Sequence, residues 1–229
     1  MSVDSHVDMS WLPGDLFVEN APQHLKNKVP LILDTRDGPA WVAEDNILGV
    51  ANSAGHGFKA PTRGNRKRTD RMLDFGFYDG LPHPTDPELR LKDMSLDGVD
   101  GEIIYGITGT GMRLKAHETI GWLFKIYNDW AANSCKTYPG RWYALSCIPV
   151  HNPKLAAEEV QRSAGLGTIR GADLIASEVT RPIYSRDDYW DLLWQALAET
   201  GMPISFHVGG GRIPVPVPAE GALATQIAS

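Results

Sequence analysis

The rhythm of apolar and polar positions changes along this chain. Residues 2–8 (SVDSHVD) alternate and read as a strand that begins almost at the first residue. Over about residues 11–93, Pro, Gly, Asn and Asp interrupt every pattern. That stretch reads as one irregular insertion with short helical pieces, one of them near residues 70–75. Beyond it the pattern becomes regular. GEIIYG (101–106) is a compact apolar strand, and residues 114–139 place Ile120, Leu123, Phe124, Tyr127, Trp130 and Ala131 at helical spacing, ended by Pro139-Gly140. WYALSCIPV (142–150) is a strand, and Asn152-Pro153 opens a helix over KLAAEEVQRSAG. TIRGADLIA (168–176) is a strand, residues 185–201 a helix capped near Ser185, and MPISFHVGG (202–210) a strand. Strands separated by helices imply βαβ units and a parallel sheet.

The count of units constrains the architecture. Five strands are used by Gly210 and 19 residues follow, fewer than the roughly 30 that another βαβ unit takes. An eight-stranded barrel would therefore stop after about five strands, whereas an open doubly wound sheet would be finished. Pattern alone leaves both open.

Composition narrows the class. With 22 basic and 28 acidic residues in 229, the net charge is −6, a poor match to a nucleic-acid backbone. No apolar run reaches the roughly 18–20 residues of a membrane span. The opening MSVDSHVDMSW is too polar for a signal peptide. The 2 cysteines, Cys135 and Cys147, form no CxxC pair, which excludes a disulfide framework or thiolate zinc site and suits a reducing cytoplasm. A basic run, RGNRKRTDR (63–71), reads as a solvated loop.

Two places could carry chemistry. On a strand, alternate residues share a face, so Asp4, His6 and Asp8 point one way. A carboxylate and an imidazole two apart can grip one divalent cation, although a polar strand end gives the same pattern. His207 sits at the carboxyl end of the fifth strand and is followed by Gly209, Gly210 and Gly211. Carboxyl ends are where parallel α/β folds build their sites.

Together with the runs DSHV (4–7), MSLDGVDGEIIYG (94–106), residues 127–153 and residues 173–209, these features resemble the amidohydrolase-related family. The likeness is to its aminocarboxymuconate-semialdehyde and dihydroxybenzoate decarboxylase branch, within the metal-dependent hydrolase superfamily. The resemblance implies a single domain over 1–229, an α/β fold of (β/α)8 TIM-barrel type, here with only about the first five strands. It implies one divalent metal ion at the strands' carboxyl ends, zinc first and manganese or iron as alternatives. Asp4 and His6 match the two first-strand ligands and His207 the fifth-strand ligand. The family's further essential Asp, at the end of the eighth strand, would lie beyond Ser229, so the resemblance assigns no catalytic residue within this chain and makes it a C-terminally truncated member. The implied activity is hydrolysis of a C–N or C–O bond, or non-oxidative decarboxylation of an aromatic or unsaturated acid. The implied partner is a small carboxylic acid, amide or ester, with no nucleic acid and no membrane, and homo-oligomers occur in the family.

Other positions are weaker. His151 (PVHNP) follows a strand and could face a substrate, and Arg170 (TIRGADL) could bind a carboxylate, though a loop histidine and a structural ion pair explain them as simply. His56 lies in the insertion, which tends to cover the site in this family. Gly109 and Gly111 precede a helix, but the next glycine is Gly121, too late for a dinucleotide loop. The competing reading of the whole chain is an inactive truncated paralogue, or an open α/β domain that binds a ligand or partner without turnover.

Overall fold

The computed structural model describes residues 1–36, 38–51, 83–175, 181–183 and 186–207. The expected helix near 70–75, the basic run 63–71, His56, Ser185 and the segment after His207 lie outside the described residues.

The main sheet is built from β1 (Ser2–His6), β5 (Glu102–Tyr105), β6 (Trp142–Cys147), β7 (Ile169–Ile175) and β8 (Ile204–His207). They are hydrogen-bonded in the order β1-β5-β6-β7-β8, and every neighbouring pair is parallel. A second sheet of three antiparallel strands, β2 (Leu31–Thr35), β3 (Gly38–Ala43) and β4 (Asn46–Val50), lies within the stretch read as irregular. The hairpin between β3 and β4 turns on Glu44 and Asp45, both with positive φ (50° and 61°). Such a turn usually announces itself with Asn-Gly or Asp-Gly, and here it does not.

The helices are α1 (Leu16–Asn20), α2 (Pro87–Leu96), α3 (Thr108–Gly111), α4 (His117–Cys135), α5 (Pro153–Ala164) and α6 (Asp191–Thr200). Asp86 and Asn152 cap α2 and α5, each accepting from two backbone amides with proline next in line. Gly201 ends α6 at φ 66°, a left-handed turn that favours glycine. α4 has no side-chain cap of its own. The carboxylate of Glu44, presented by the β3–β4 turn, accepts instead from the amides of Lys115 and Ala116 (2.6 and 3.0 Å). Arg113 donates back to the carbonyls of Ile47 and Leu48. The small sheet is thereby bolted to the start of α4.

The core lies between the main sheet and the helices, with Tyr127, Phe124, Leu123, Trp142, Ile169 and Trp190 essentially inaccessible to water. Trp190 belongs to it and Trp194, four residues on, packs at its margin. Both cysteines are buried free thiols; burial pushes Cys135 up to about 12 and Cys147 higher still. No helix among the described residues is long and apolar enough to cross a membrane.

One polar side chain ties α4 to the sheet. The two hydrogens of the Asn128 amide nitrogen are shared among Ser146 Oγ, the Cys147 carbonyl and Glu159 Oε1, while its oxygen accepts from the Cys147 amide (2.9 Å), all out of water. Asn128→Ala would orphan a buried amide and strip Glu159 of a partner. The expected cost is about 2–4 kcal/mol, from roughly 1–3 per orphaned group. Urea unfolding of the variant against the parent measures it.

Candidate metal centre

In a flat sheet, five strands spaced about 4.8 Å apart would hold β1 and β8 about 19 Å from each other. The side chains at the ends of these two edges nevertheless meet: the rings of His6 and His207 have centroids 5.1 Å apart. The sheet is curled into a half-barrel, and its concave face gathers the ends of both edge strands.

Three side chains converge there. Asp4 and His6 share the face that alternation assigns them, with Asp4 Oδ1 3.3 Å from His6 Nε2. His207 arrives from the opposite edge, so that one ligand atom from each of Asp4, His6 and His207 lies within 4.8 Å of the others. Asp4 and His6 are exposed and His207 is partly covered, so the group is open on one side.

Tyr105 and Ser205 complete the floor, and neither stood out in the sequence. Tyr105 is level with His6 in the β1–β5 register. Its ring stacks on both imidazoles, at 5.4 Å from His6 and 4.7 Å from His207. Its hydroxyl is 2.5 Å from Ser205 Oγ. Tyr105 is thus pinned across the concave face and limits how far either imidazole can swing.

Asp173 was also missed. It is 1% exposed, level with Ser205 in the β7–β8 register, and its Oδ1 has no hydrogen-bond partner among the described residues. Burial pushes its carboxyl above the usual carboxylate range, against the opposing pull of the Thr108 hydroxyl and of the imidazoles of His207 and His6. A lone Asp inside an apolar strand (GADLIA) carries no motif that would have flagged it.

The other sequence candidates lie elsewhere. Arg170 is exposed at the amino end of β7 with its guanidinium over the Tyr143 ring at 5.3 Å. Ile175 is the β7 residue level with His207, and at ~3.3 Å per residue Arg170 sits roughly 17 Å further down the strand. His151, past the end of β6, is 9% exposed and stacks on His117 at 4.0 Å. Both its ring nitrogens are buried without a partner among the described residues.

A sequence profile of the amidohydrolase family matches residues 108–228, more than half of the chain. The chain belongs to the amidohydrolase family. Solved structures with the same fold include an amidohydrolase from Mycobacterium avium subsp. paratuberculosis (TM-score 0.66, 17% identity, 91% of this chain and 57% of that one). A 5-carboxyvanillate decarboxylase from Novosphingobium aromaticivorans, holding manganese and 3-methoxy-4-hydroxy-5-nitrobenzoic acid, aligns at TM-score 0.55 and 19% identity, over 90% of this chain and 49% of its own. A dihydroxybenzoic acid decarboxylase from Polaromonas, holding manganese and 2-nitroresorcinol, aligns at TM-score 0.51 and 14% identity, over 99% and 53%. The chain therefore spans about half the length of these structures, and its curled five-stranded parallel sheet is part of the TIM-type barrel expected from sequence. The open doubly wound alternative is set aside.

Burial and the neighbouring His117 push His151 down from its ordinary 6.5 to about 4. Below pH 6.5 the unfolded chain takes up a proton that the folded chain refuses, so this residue costs stability as pH falls from about 6.5 toward 4 and nothing above. His151→Gln should flatten the stability–pH curve over that window and leave its slope above pH 7 unchanged. Urea midpoints at pH 7.5, 6, 5 and 4.5 check this, and parallel curves for parent and variant would refute it.

Proposed function

We propose that Asp4, His6 and His207 hold one divalent cation, and that the chain carries the metal centre of a hydrolase or non-oxidative carboxy-lyase acting on a small carboxylic acid, amide or ester. The convergence of three ligand atoms within 4.8 Å from the two opposite edges of one sheet carries this reading.

The donor set fits such an ion. Ligands bound at ~2.1 Å around one cation lie about 3–4 Å from each other. The Asp4–His6 separation of 3.3 Å is already in that range, and small side-chain rotations bring in His207. One hard oxygen and two imidazole nitrogens suit zinc, manganese or iron(II), and three protein groups leave coordination positions for substrate. Two of the structural relatives hold manganese, which supports a divalent ion without favouring zinc over manganese.

A divalent ion bound there would act as a Lewis acid toward a carbonyl or carboxylate oxygen and make water a better nucleophile. The rest falls to the protein's own groups. Asp4 offsets cationic charge at the open side, and Tyr105, fixed through Ser205, backs both imidazoles. The group is open on the side of Asp4 and His6, where a substrate carboxylate would meet the cation. The relatives' bound 3-methoxy-4-hydroxy-5-nitrobenzoic acid and 2-nitroresorcinol are small flat aromatic molecules, the first of them a carboxylic acid.

Metal analysis of the protein after loading and desalting tests this. About one equivalent of manganese or zinc should be retained, and a hundredfold excess over Kd should stabilise the fold by ~2.7 kcal/mol. Asp4→Ala and His207→Ala should each lose most of that metal, while His24→Ala, whose ring meets Glu118 at the surface, should keep it. No stoichiometric metal in the parent, or parental content in the Asp4 and His207 variants, would overturn the reading.

A further inference from the structure

Asp173 lies on β7, directly beside the strand that carries His207. The register pairs Asp173 with Ser205 and Ile175 with His207, which puts the carboxylate one strand across and two residues below the imidazole, on the same face. A buried carboxylate whose oxygen has no partner is costly in a folded chain and calls for a compensating role. Asp173 Oδ1 is in that condition among the described residues. It is not a fourth ligand, since the cluster of converging ligand atoms consists of Asp4, His6 and His207. Among the described residues the His207 ring stacks on Tyr105 and lies tilted against His6, contacts that hold a ring plane but select no tautomer. Both imidazoles of the cluster are close enough to act electrostatically on the Asp173 carboxyl.

Imidazoles that bind a metal through one nitrogen commonly donate the other N–H to a carboxylate, which fixes the tautomer and strengthens the donor. We propose that Asp173 is the positioning residue of this centre: when a cation is held, a side-chain rotation lets the unpartnered Oδ1 accept a hydrogen bond from the His207 ring nitrogen remote from the cluster, which presents the other nitrogen to the cation. Thr108, whose buried Oγ1 is likewise unpartnered among the described residues, lies beside the carboxyl at the first residue of α3. The inference rests on the metal-centre reading above.

Manganese titration calorimetry on the parent, Asp173→Asn and Asp173→Ala, paired with ¹⁵N NMR of the histidine rings in metal-free and zinc-loaded protein, tests it. The His207 ring is identified by the signals missing from His207→Ala. The parent should show His207 in one tautomer with a downfield, slowly exchanging N–H. Asp173→Ala should mix the tautomers and weaken manganese binding by about 10–100-fold, the usual effect of removing such a partner. Asp173→Asn, which keeps a neutral acceptor, should recover part of the loss. If the parent binds manganese and Asp173→Ala binds it equally well with unchanged His207 signals, the positioning role is overturned and the metal centre stands. If the parent binds no metal, both fall. Should the alanine variant fail to fold, the parent spectrum decides: mixed His207 tautomers in the zinc-loaded protein overturn the role, and a single tautomer that Asp173→Asn perturbs supports it.

Discussion

Curvature is the constraint from which the site follows. Each strand contributes ordinary geometry, and none of β1, β5 or β8 exceeds five residues. What makes them into a site is that successive strands rotate and the sheet closes on itself, so that two edges separated by three intervening strands deliver side chains to one point. The chain separation between His6 and His207 is then irrelevant to their distance. A flatter sheet with the same residues would leave two unrelated surface histidines.

The helical layer enforces that curvature through polar links as well as apolar packing. Asn128 fastens α4 to the last residues of β6, and Glu44 holds the start of the same helix from the small antiparallel sheet. Arg90 of α2 meets Glu102 at the foot of β5 at 2.7 Å, each side chain 12% exposed. The Asn128 bonds and the Arg90–Glu102 pair are largely withdrawn from water, so removing one partner would leave a costly unpaired group, whereas the Glu44 bonds are exposed. These links act on strands that form the concave floor, so the helices outside hold in place the residues that line the inside. Behind the sheet the Thr119 and Tyr127 hydroxyls of α4 are buried without a partner among the described residues, and on the face toward the cluster the Asp173 carboxyl likewise keeps an oxygen unpartnered.

Much of this was legible in the sequence, for identifiable reasons. The helical spacing of Ile120 to Ala131 and the apolar strands at 101–106, 142–150 and 168–176 each point to one structure through one period, and the elements formed close to those bounds. The hairpin at β3–β4 escaped because Glu44 and Asp45 adopt left-handed backbone that glycine or asparagine normally signals. Glu44 holds that conformation while its carboxylate serves the α4 amides. Asp173 and Tyr105 escaped for a different reason. Each is one polar residue in an apolar strand, and its meaning depends on which residues stand level with it on neighbouring strands. Alternation gives the face of a side chain, but register across a parallel sheet is set by helices far away in sequence. His151 read as a candidate because it follows a strand, yet a few residues of loop suffice to fold it back under His117.

The family profile and the geometry inform different halves of the centre. The matched stretch begins at residue 108 and includes His207, but it leaves out β1, Asp4, His6 and Tyr105. Nothing in that match requires a D-x-H near the first residue to lie beside a histidine two hundred positions later. The fold brings them together, through a parallel pairing of β1 with β5 and the curl of the sheet beyond it. The D-x-H side chains and the imidazole of the far edge bring one ligand atom each to within 4.8 Å, and the proposed metal centre rests on that convergence. The carboxylate and two imidazoles meet on the concave face, at the carboxyl ends of parallel strands, where such barrels perform their chemistry. That coincidence between a motif outside the profile and a residue inside it is the physical ground on which the three are proposed as one centre.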